Sequence, residues 1–391
     1  MQSLWLGLLV IAATLLPAPP AHASWKMQDF LILYTNGWPA DQVAGRMSEQ
    51  SLGRIAAAHY NTVMCATTEL ELVARAGLRC LVIGWSQGPP DWIGEAVPPA
   101  VARGLASNPA VWGYYVMDEP DNINWKRGAL FRQLGERVNE YRMADPDHVP
   151  WINLMTSNDR RYLEDYMRVV KPDLLSFDVY RWWVLEVTWW RCLEAHRAAA
   201  LQAGVPLIVW IESNTSERRF MAHLPPPEDN ATKLRWSVYT SLAYGSKGVQ
   251  WFLGTMSEDV AILNAELSVL GPTLVKLESR HVFHTSDVPR EGQRLPGTSW
   301  YSTDSPKLLI GELARRDEPN ATYLLVVNKS IDAEADPVIE FRGRTVSAVE
   351  EVNRNSVGRT ALSMERQAGA TRIRLPLAAG DGRLVRIESP R

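Results

Sequence analysis

Eight apolar runs of strand length recur along the first two thirds of the chain, most of them followed by a stretch with helical spacing. The runs are Phe30–Tyr34, Thr62–Ala66, Cys80–Trp85, Val111–Met117, Trp151–Met155, Leu174–Val179, Leu207–Ile211 and Gly248–Phe252. They are continuous rather than alternating, which is the pattern of parallel strands buried on both faces. Amphipathic stretches lie between them, clearest at Glu69–Ala76, Ala129–Met143, Val184–Ala203 and Lys233–Tyr244, with Asn108-Pro109 and Ala203-Gly204 as helix stops. A strand followed by a helix, eight times over, predicts an α/β fold of the (β/α)8 barrel type. An open doubly wound sheet is the competing arrangement. It is disfavoured because Tyr34-Thr35-Asn36-Gly37-Trp38-Pro39 stands where a Gly-rich phosphate loop belongs.

A last helix, about Asp259 to Glu278, closes the barrel, and the pattern then changes. From Val282 onward come short alternating segments at Leu308–Glu312, Thr322–Asn328, Val338–Phe341, Thr345–Glu350, Thr371–Leu375 and Arg383–Ile387, separated by turn signals. These predict a small all-β, Ig-like sandwich. The expected organisation is a barrel over residues 24–285 and a sandwich over 286–391 packed on it in a supporting role. Residues 1–23 read as a secretory signal: Leu4 to Leu16 is apolar but short for a bilayer, and Ala21-His22-Ala23 is a small-x-small cleavage site. The expectation is a secreted or periplasmic protein with no membrane contact after cleavage.

Composition narrows the function. The 41 basic and 44 acidic residues are well mixed and give a net charge of −3, so there is no basic stripe for nucleic acid. The seven histidines form no metal motif, and Gly-x-Ser-x-Gly is absent, which disfavours a metal-dependent hydrolase and a serine esterase. No metal or cofactor is expected. Of the three cysteines, Cys65 and Cys80 are placed at opposite ends of their strands, so no bridge between them is expected, and buried thiols are the reading for all three.

The chemistry is expected at the C-terminal ends of the barrel strands. Strand four ends in Asp118-Glu119-Pro120 and strand seven in Glu212. A carboxylate has little reason to follow so apolar a run unless it sits at the wet end of a buried strand. Two of them suggest one general acid/base and one nucleophile, the equipment of a retaining glycoside hydrolase. Around them the strand ends offer Asp178 and Tyr180 after strand six, Asn153 on strand five, Trp85 after strand three, and Asn36 and Trp38 after strand one. Trp182, Trp85 and Trp38 are candidate platforms, because an indole stacks on the apolar face of a sugar ring. Each has a structural alternative: Asp178 can cap a helix or bind Arg181, Glu212 can form a salt bridge, and any of the aromatics can be core.

The barrel stretch, about residues 28–280, resembles clan A of the retaining glycoside hydrolases, the four/seven superfamily. Asn108-Pro-Ala-Val-Trp-Gly-Tyr-Tyr-Val-Met-Asp-Glu-Pro120 is similar to that clan's acid/base segment, and Tyr239–Phe252 to its last helix and strand. The resemblance implies Glu119 as acid/base, Glu212 as nucleophile, Tyr180 as hydrogen-bond donor to the nucleophile and Trp251 as floor for the sugar. It also implies a β-glucan as substrate, with a β-galactoside second. One departure stands out: the clan's Asn before the acid/base is Asp118 here, which accepts but cannot donate when ionised. The ionised Glu212 is expected to raise the pKa of Glu119 and keep it protonated. The alternative is a carbohydrate-binding barrel without catalysis. Oligomeric state is open.

Overall fold

A computed structural model describes residues 25–35, 47–84, 96–120, 127–155, 160–216, 227–367 and 369–390. Eight parallel strands close into a barrel: β1 Leu31–Tyr34, β2 Thr62–Cys65, β3 Arg79–Val82, β4 Val111–Asp118, β5 Val149–Leu154, β6 Leu175–Asp178, β7 Leu207–Glu212 and β8 Gly248–Phe252. Closure is the pairing of β8 with β1, from Leu31 opposite Gly248 to Tyr34 opposite Trp251. The runs are apolar throughout because each strand is buried twice. Leu31, Leu33, Met64, Leu81, Trp151, Ile208 and Trp210 fill the barrel interior. Ile32, Val63, Val82, Ile152, Phe177, Val209 and Ile211 face the helices.

The helices are α1 Glu49–Ala57, α2 Leu70–Arg75, α3 Pro99–Leu105, α4 Arg127–Ala144, α5 Arg160–Val169, α6 Glu186–Ala203, α7 Asn230–Ala243 and α8 Glu258–Leu274. The stop after α6 works as the sequence suggests. Gly204 takes φ 69°, where a Cβ is penalised, and its N–H returns to the carbonyls of Ala200 and Leu201. α8 ends four residues before the predicted Glu278. Leu277–His284 forms strand β9 instead, paired antiparallel with β12, which spans Leu308–Arg315.

The remaining strands are β10 Gln293–Arg294, β11 Tyr301–Thr303, β13 Ala321–Asn328, β14 Val338–Phe341, β15 Ala348–Val352, β16 Arg359–Ala361, β17 Glu365–Gln367, β18 Ala370–Arg374 and β19 Gly382–Glu388. They make a seven-stranded sheet ordered β10-β9-β12-β13-β19-β15-β16 and a four-stranded sheet ordered β11-β14-β18-β17. Between the sheets lie Ile310, Leu324, Val326, Ile339, Phe341, Ile373 and Val385. On the other face of the large sheet, Leu309, Leu313, Tyr323, Leu325 and Val327 join the core that covers the barrel.

Two glycines set the closeness of that contact. A Cβ on Gly311 of β12 would stand 2.4 Å from the Ala243 carbonyl oxygen of α7, and one on Gly382 would stand 2.5 Å from the Tyr239 ring. Beside them the Arg235 guanidinium pairs in fork fashion with Glu266 of α8 at 2.8 Å for each bond. Arg354 and Asp381 of the sandwich complete the cluster, with Arg235 3.2 Å from Asp381.

Cys65 and Cys80 form a disulfide, Cα to Cα 5.8 Å, contrary to the expectation of free thiols. The reason is strand length. β2 has four residues and Val63 stands opposite Cys80, so Cys65 at the end of β2 is only two residues beyond the partner of Cys80. Both cysteines share the helix-facing side. Cys192 is a buried free thiol.

Candidate active site

The alternation of each strand decides what its last residue faces. On β7, Ile208 and Trp210 point inward, so Glu212 does too. On β8 the register sets Phe252 opposite Glu212, and Gln250 opposite Trp210. On β6, Ser176 and Asp178 share the inner face; the Ser176 hydroxyl meets the Trp210 indole N–H at 2.9 Å.

β4 departs from alternation. Its register slips once against β3, between Cys80 and Leu81, and once against β5, between Tyr115 and Met117. The second slip is a bulge that leaves Val116 and Met117 together on the helix side and turns Asp118 inward. Without it Met117 would face the interior. Glu119 follows at φ 40°, a left-handed conformation that costs a non-glycine residue about 1–2 kcal/mol. Its N–H donates to the Asn153 carbonyl at 2.9 Å, which anchors the turn to β5.

A chain of hydrogen bonds ties four strands together just below the mouth. The Tyr115 hydroxyl donates to Asp118 Oδ1 at 2.7 Å, and the Asn153 side-chain amide donates to the same oxygen at 3.1 Å. Asn153 Oδ1 accepts from Ser176 at 2.9 Å, and Ser176 accepts from Trp210. Asn153 is 1% exposed, so it belongs to the wall of the site, with both ends of its amide engaged there. Burial pushes the Asp118 carboxyl up, and the Tyr115 and Asn153 bonds pull it back. The phenols of Tyr115 and Tyr180 are raised first by burial and then by Asp118, Asp178 and Glu119. These three carboxylates therefore gather around the two rings.

Glu212 is 0% exposed. Its Oε1 accepts the Trp182 backbone N–H at 2.8 Å, and among the described residues its Oε2 has no hydrogen-bond partner. Burial pushes the carboxyl up to about 8, against the pull of the Trp182 N–H and the Arg181 charge. Burial thus raises the carboxyl of Glu212 itself. A group in this state is mostly protonated at neutral pH and becomes an anion on the alkaline side.

Several residues stand elsewhere than expected. The Tyr180 hydroxyl bonds to Asp178, not to Glu212, and the ring stacks on Phe252 with centroids 4.8 Å apart. Trp251 is 0% exposed and faces the helices, where its indole N–H donates to Asn264 of α8 at 2.8 Å; it is no floor for a ligand. Phe252, its neighbour of opposite parity, faces the mouth instead. Of the paired tryptophans, Trp182 turns away and packs on Trp236 of α7, its N–H bonded to Ser237 at 3.1 Å. Trp183 packs on Tyr180 and Phe252 at 4.9 and 5.9 Å and is half-buried. Arg181 pairs with Glu186 rather than Asp178. Asn36, Trp38 and Trp85 lie outside the described residues. Among the described residues no group of three His, Cys, Asp or Glu side chains is arranged to hold a metal ion.

No protein-family model matches the chain, and no curated protein does. Several solved structures are similar in outline. A family 39 glycoside hydrolase from Bacteroides cellulosilyticus WH2 aligns over 92% of this chain and 81% of its own, at 9% identity and a TM-score of 0.46. An α-L-arabinofuranosidase from Thermotoga maritima aligns over 93% and 97%, also at 9% identity and 0.46. A family 27 β-L-arabinopyranosidase from Geobacillus stearothermophilus aligns over 92% and 96%, at 8% identity and 0.49. Scores of this size carry no argument about chemistry, and the barrel rests on the strand pairing above.

The residue at the mouth that sequence reading missed is Phe252; of the Trp182-Trp183 pair it favoured Trp182, and it placed Arg181 beside Asp178. Parity was the available signal for Phe252: it is in phase with Gln250, and Gln250 is a polar residue in an otherwise apolar strand. No signal in the sequence separates Trp182 from Trp183, because both lie in a turn without periodicity.

Proposed function

We propose that the chain is an exported retaining β-glycoside hydrolase, with Glu119 as acid/base and Glu212 as nucleophile. The observation that carries the reading is the placing of the two glutamates at the C-terminal ends of β4 and β7, among inward-facing carboxylates and beside an aromatic floor. The Glu119 carboxylic acid gives its proton to the glycosidic oxygen as the bond to the anomeric carbon breaks. The open oxygen of Glu212, Oε2, attacks that carbon, while the Trp182 N–H stays on Oε1. Glu119, now a carboxylate, takes a proton from water, which displaces Glu212 and frees the sugar. Phe252, Tyr180 and Trp183 offer ring faces for the sugar to stack on. A β-linked glucan is the first substrate to try and a β-galactoside the second; this choice rests on the clan resemblance. The disulfide supports export, because such bonds persist in oxidising compartments.

A second reading is a glycan-binding barrel without catalysis. The complete burial of Glu212 favours it, since a neutral, covered carboxyl is no nucleophile. Product release from β-glucans and β-galactans, run on the wild type, Glu119→Gln and Glu212→Gln, decides between them. Release that both substitutions abolish supports the enzyme. No release, with glycan binding that survives both, supports the binding barrel.

A further inference from the structure

The partner of Glu212 lies in the turn between β6 and α6, which runs from Tyr180 to Trp183. The turn's own bonds go from the N–H groups of Trp183 and Val184 to the Tyr180 carbonyl, at 2.9 and 3.1 Å. They leave the Trp182 N–H for Glu212 Oε1, which it meets at 2.8 Å. The side chain of the same residue fixes that N–H in place. The Trp182 indole N–H is shared between the Lys233 carbonyl at 3.2 Å and the Ser237 hydroxyl at 3.1 Å. Its ring meets the Trp236 ring with centroids 5.7 Å apart. Lys233, Trp236 and Ser237 have the spacing of one face of α7. Trp189 and Trp190 of α6 close around Trp236 at 5.7 and 5.1 Å.

The sandwich also docks on α7, and Trp236 belongs to both contacts. Its indole N–H donates to the carbonyl of Lys329, just past β13, at 3.0 Å. The Gly380 N–H of the sandwich donates to the Ser330 carbonyl at 2.7 Å, so the two segments of the sandwich are tied together there. A Cβ on Gly380 would stand 2.7 Å from the Thr232 carbonyl oxygen and 3.2 Å from Trp236 Cβ. A packed interior has no slack, so contacts this close pass a displacement on. A shift of the sandwich therefore reaches the Trp182 N–H through one ring.

We propose that Trp236 is a positioning residue for Glu212, and that through it the sandwich sets the turn that holds the nucleophile. The catalytic meaning rests on the reading of Glu212 as nucleophile. The chain of contacts from Lys329 through Trp236 and Trp182 to Glu212 does not. The second unit is then a support of the active site as well as a cover for the barrel. The charged groups around Glu212 are Asp178 on β6, Arg181 in the turn, Asp118 on β4, Glu119 just after it, and Lys233 on α7. None of them is removed by a change at Trp236 or Gly380.

The test measures kcat, KM and the Glu212 proton in the wild type, Trp236→Phe, Gly380→Ala and Gly343→Ala. The proton is followed by unfolding free energy against pH, each chain paired with the same chain carrying Glu212→Gln. The pH at which the paired difference levels off reports it. Gly380 and Gly343 both stand at φ 67°, so Ala strains each alike. Gly343 has open space around it, and of the two only Gly380 meets α7. Trp236→Phe and Gly380→Ala are expected to lower kcat about tenfold and to keep KM within about twofold, because the nucleophile moves and the seat of the sugar does not. A longer bond from the Trp182 N–H favours the carboxylate less. The levelling pH should therefore move up by about half a unit, about threefold less carboxylate below it. Gly343→Ala keeps both at the wild-type values. Unmoved kcat and levelling pH in Trp236→Phe and Gly380→Ala overturn the inference, and so do equal changes in Gly380→Ala and Gly343→Ala. If Trp236→Phe does not fold, the two glycine variants decide alone. A wild type that turns over no glycan removes the catalytic reading and leaves the levelling pH to decide the contact. Activity lost in Glu212→Gln, with kcat and levelling pH unmoved in the other variants, does the reverse.

Discussion

Replacing Glu212 with Gln should stabilise the protein, and by an amount that depends on pH. The carboxyl stands at about 8 in the fold against an ordinary value of 4.5. A carboxyl raised in the fold binds its proton more tightly there than in the unfolded chain. Its favourable contribution is complete below the unfolded value of 4.5 and is lost as pH climbs through about 8. Between those values each pH unit removes about 1.4 kcal/mol. From about pH 5 to about pH 7.5 the wild type should therefore lose roughly 3 kcal/mol relative to Glu212→Gln. Gln keeps the shape of the side chain, accepts the Trp182 N–H and does not titrate. Other groups titrate alike in both proteins and drop out of the difference. Urea unfolding of the two chains, followed by tryptophan fluorescence at several pH values, measures it. A gap that widens in favour of Glu212→Gln as pH rises supports the reasoning. A gap independent of pH refutes it, because the carboxyl would then have the same proton affinity folded and unfolded. For an enzyme that needs Glu212 as an anion, kcat/KM should rise with pH over the same range.

Three further outcomes are expected. Gly311→Ala forces a Cβ against the α7 backbone and should cost about 1–3 kcal/mol, read from the urea midpoint, whereas Gly53→Ala, on α1 with open space around it, should be neutral or slightly stabilising. Phe252→Ala should raise KM for a glycan substrate severalfold, while Trp251→Phe, which loses the bond to Asn264 and part of a fully buried ring, should cost about 1–3 kcal/mol of stability and leave KM unchanged; steady-state kinetics beside thermal melts separate the two. Reducing the Cys65–Cys80 bond, or replacing both residues with Ser, frees a loop with a sequence separation of 15 and should cost about 3 kcal/mol; an unchanged denaturation midpoint under reductant would count against a role for the bond in stability.

The fold was legible because a strand buried on both faces has to be apolar along its whole length. The eight runs read from the chain overlap all eight barrel strands, and β8 coincides at both ends. The helix stop at Gly204 and the six alternating segments of the second unit are local signals of the same kind. At the boundary the signal fails: Leu277 and Glu278 read as the tail of α8, and only the pairing of Leu277–His284 with β12 makes them the start of a strand.

The candidate site was legible in its elements and not in its contacts. That Glu119 and Glu212 end strands four and seven is written in the order of the runs, since neighbours along a barrel are neighbours in sequence. Which face each residue presents is a different matter. A single extra residue in β4 reverses parity and turns Asp118 inward in place of Met117, and a bulge forms only against the partner strands. The same parity sends Trp251 to the helices and Phe252 to the mouth. The Cys65–Cys80 bond needs two short strands side by side. The raised carboxyl of Glu212 needs the surrounding wall to exclude water from it. The sequence by itself determined the strands, their order and the carboxylates at their ends, because burial and periodicity act along the chain. Only the tertiary structure decided which side chains meet and which proton each one keeps, because hydrogen bonds and desolvation act across it.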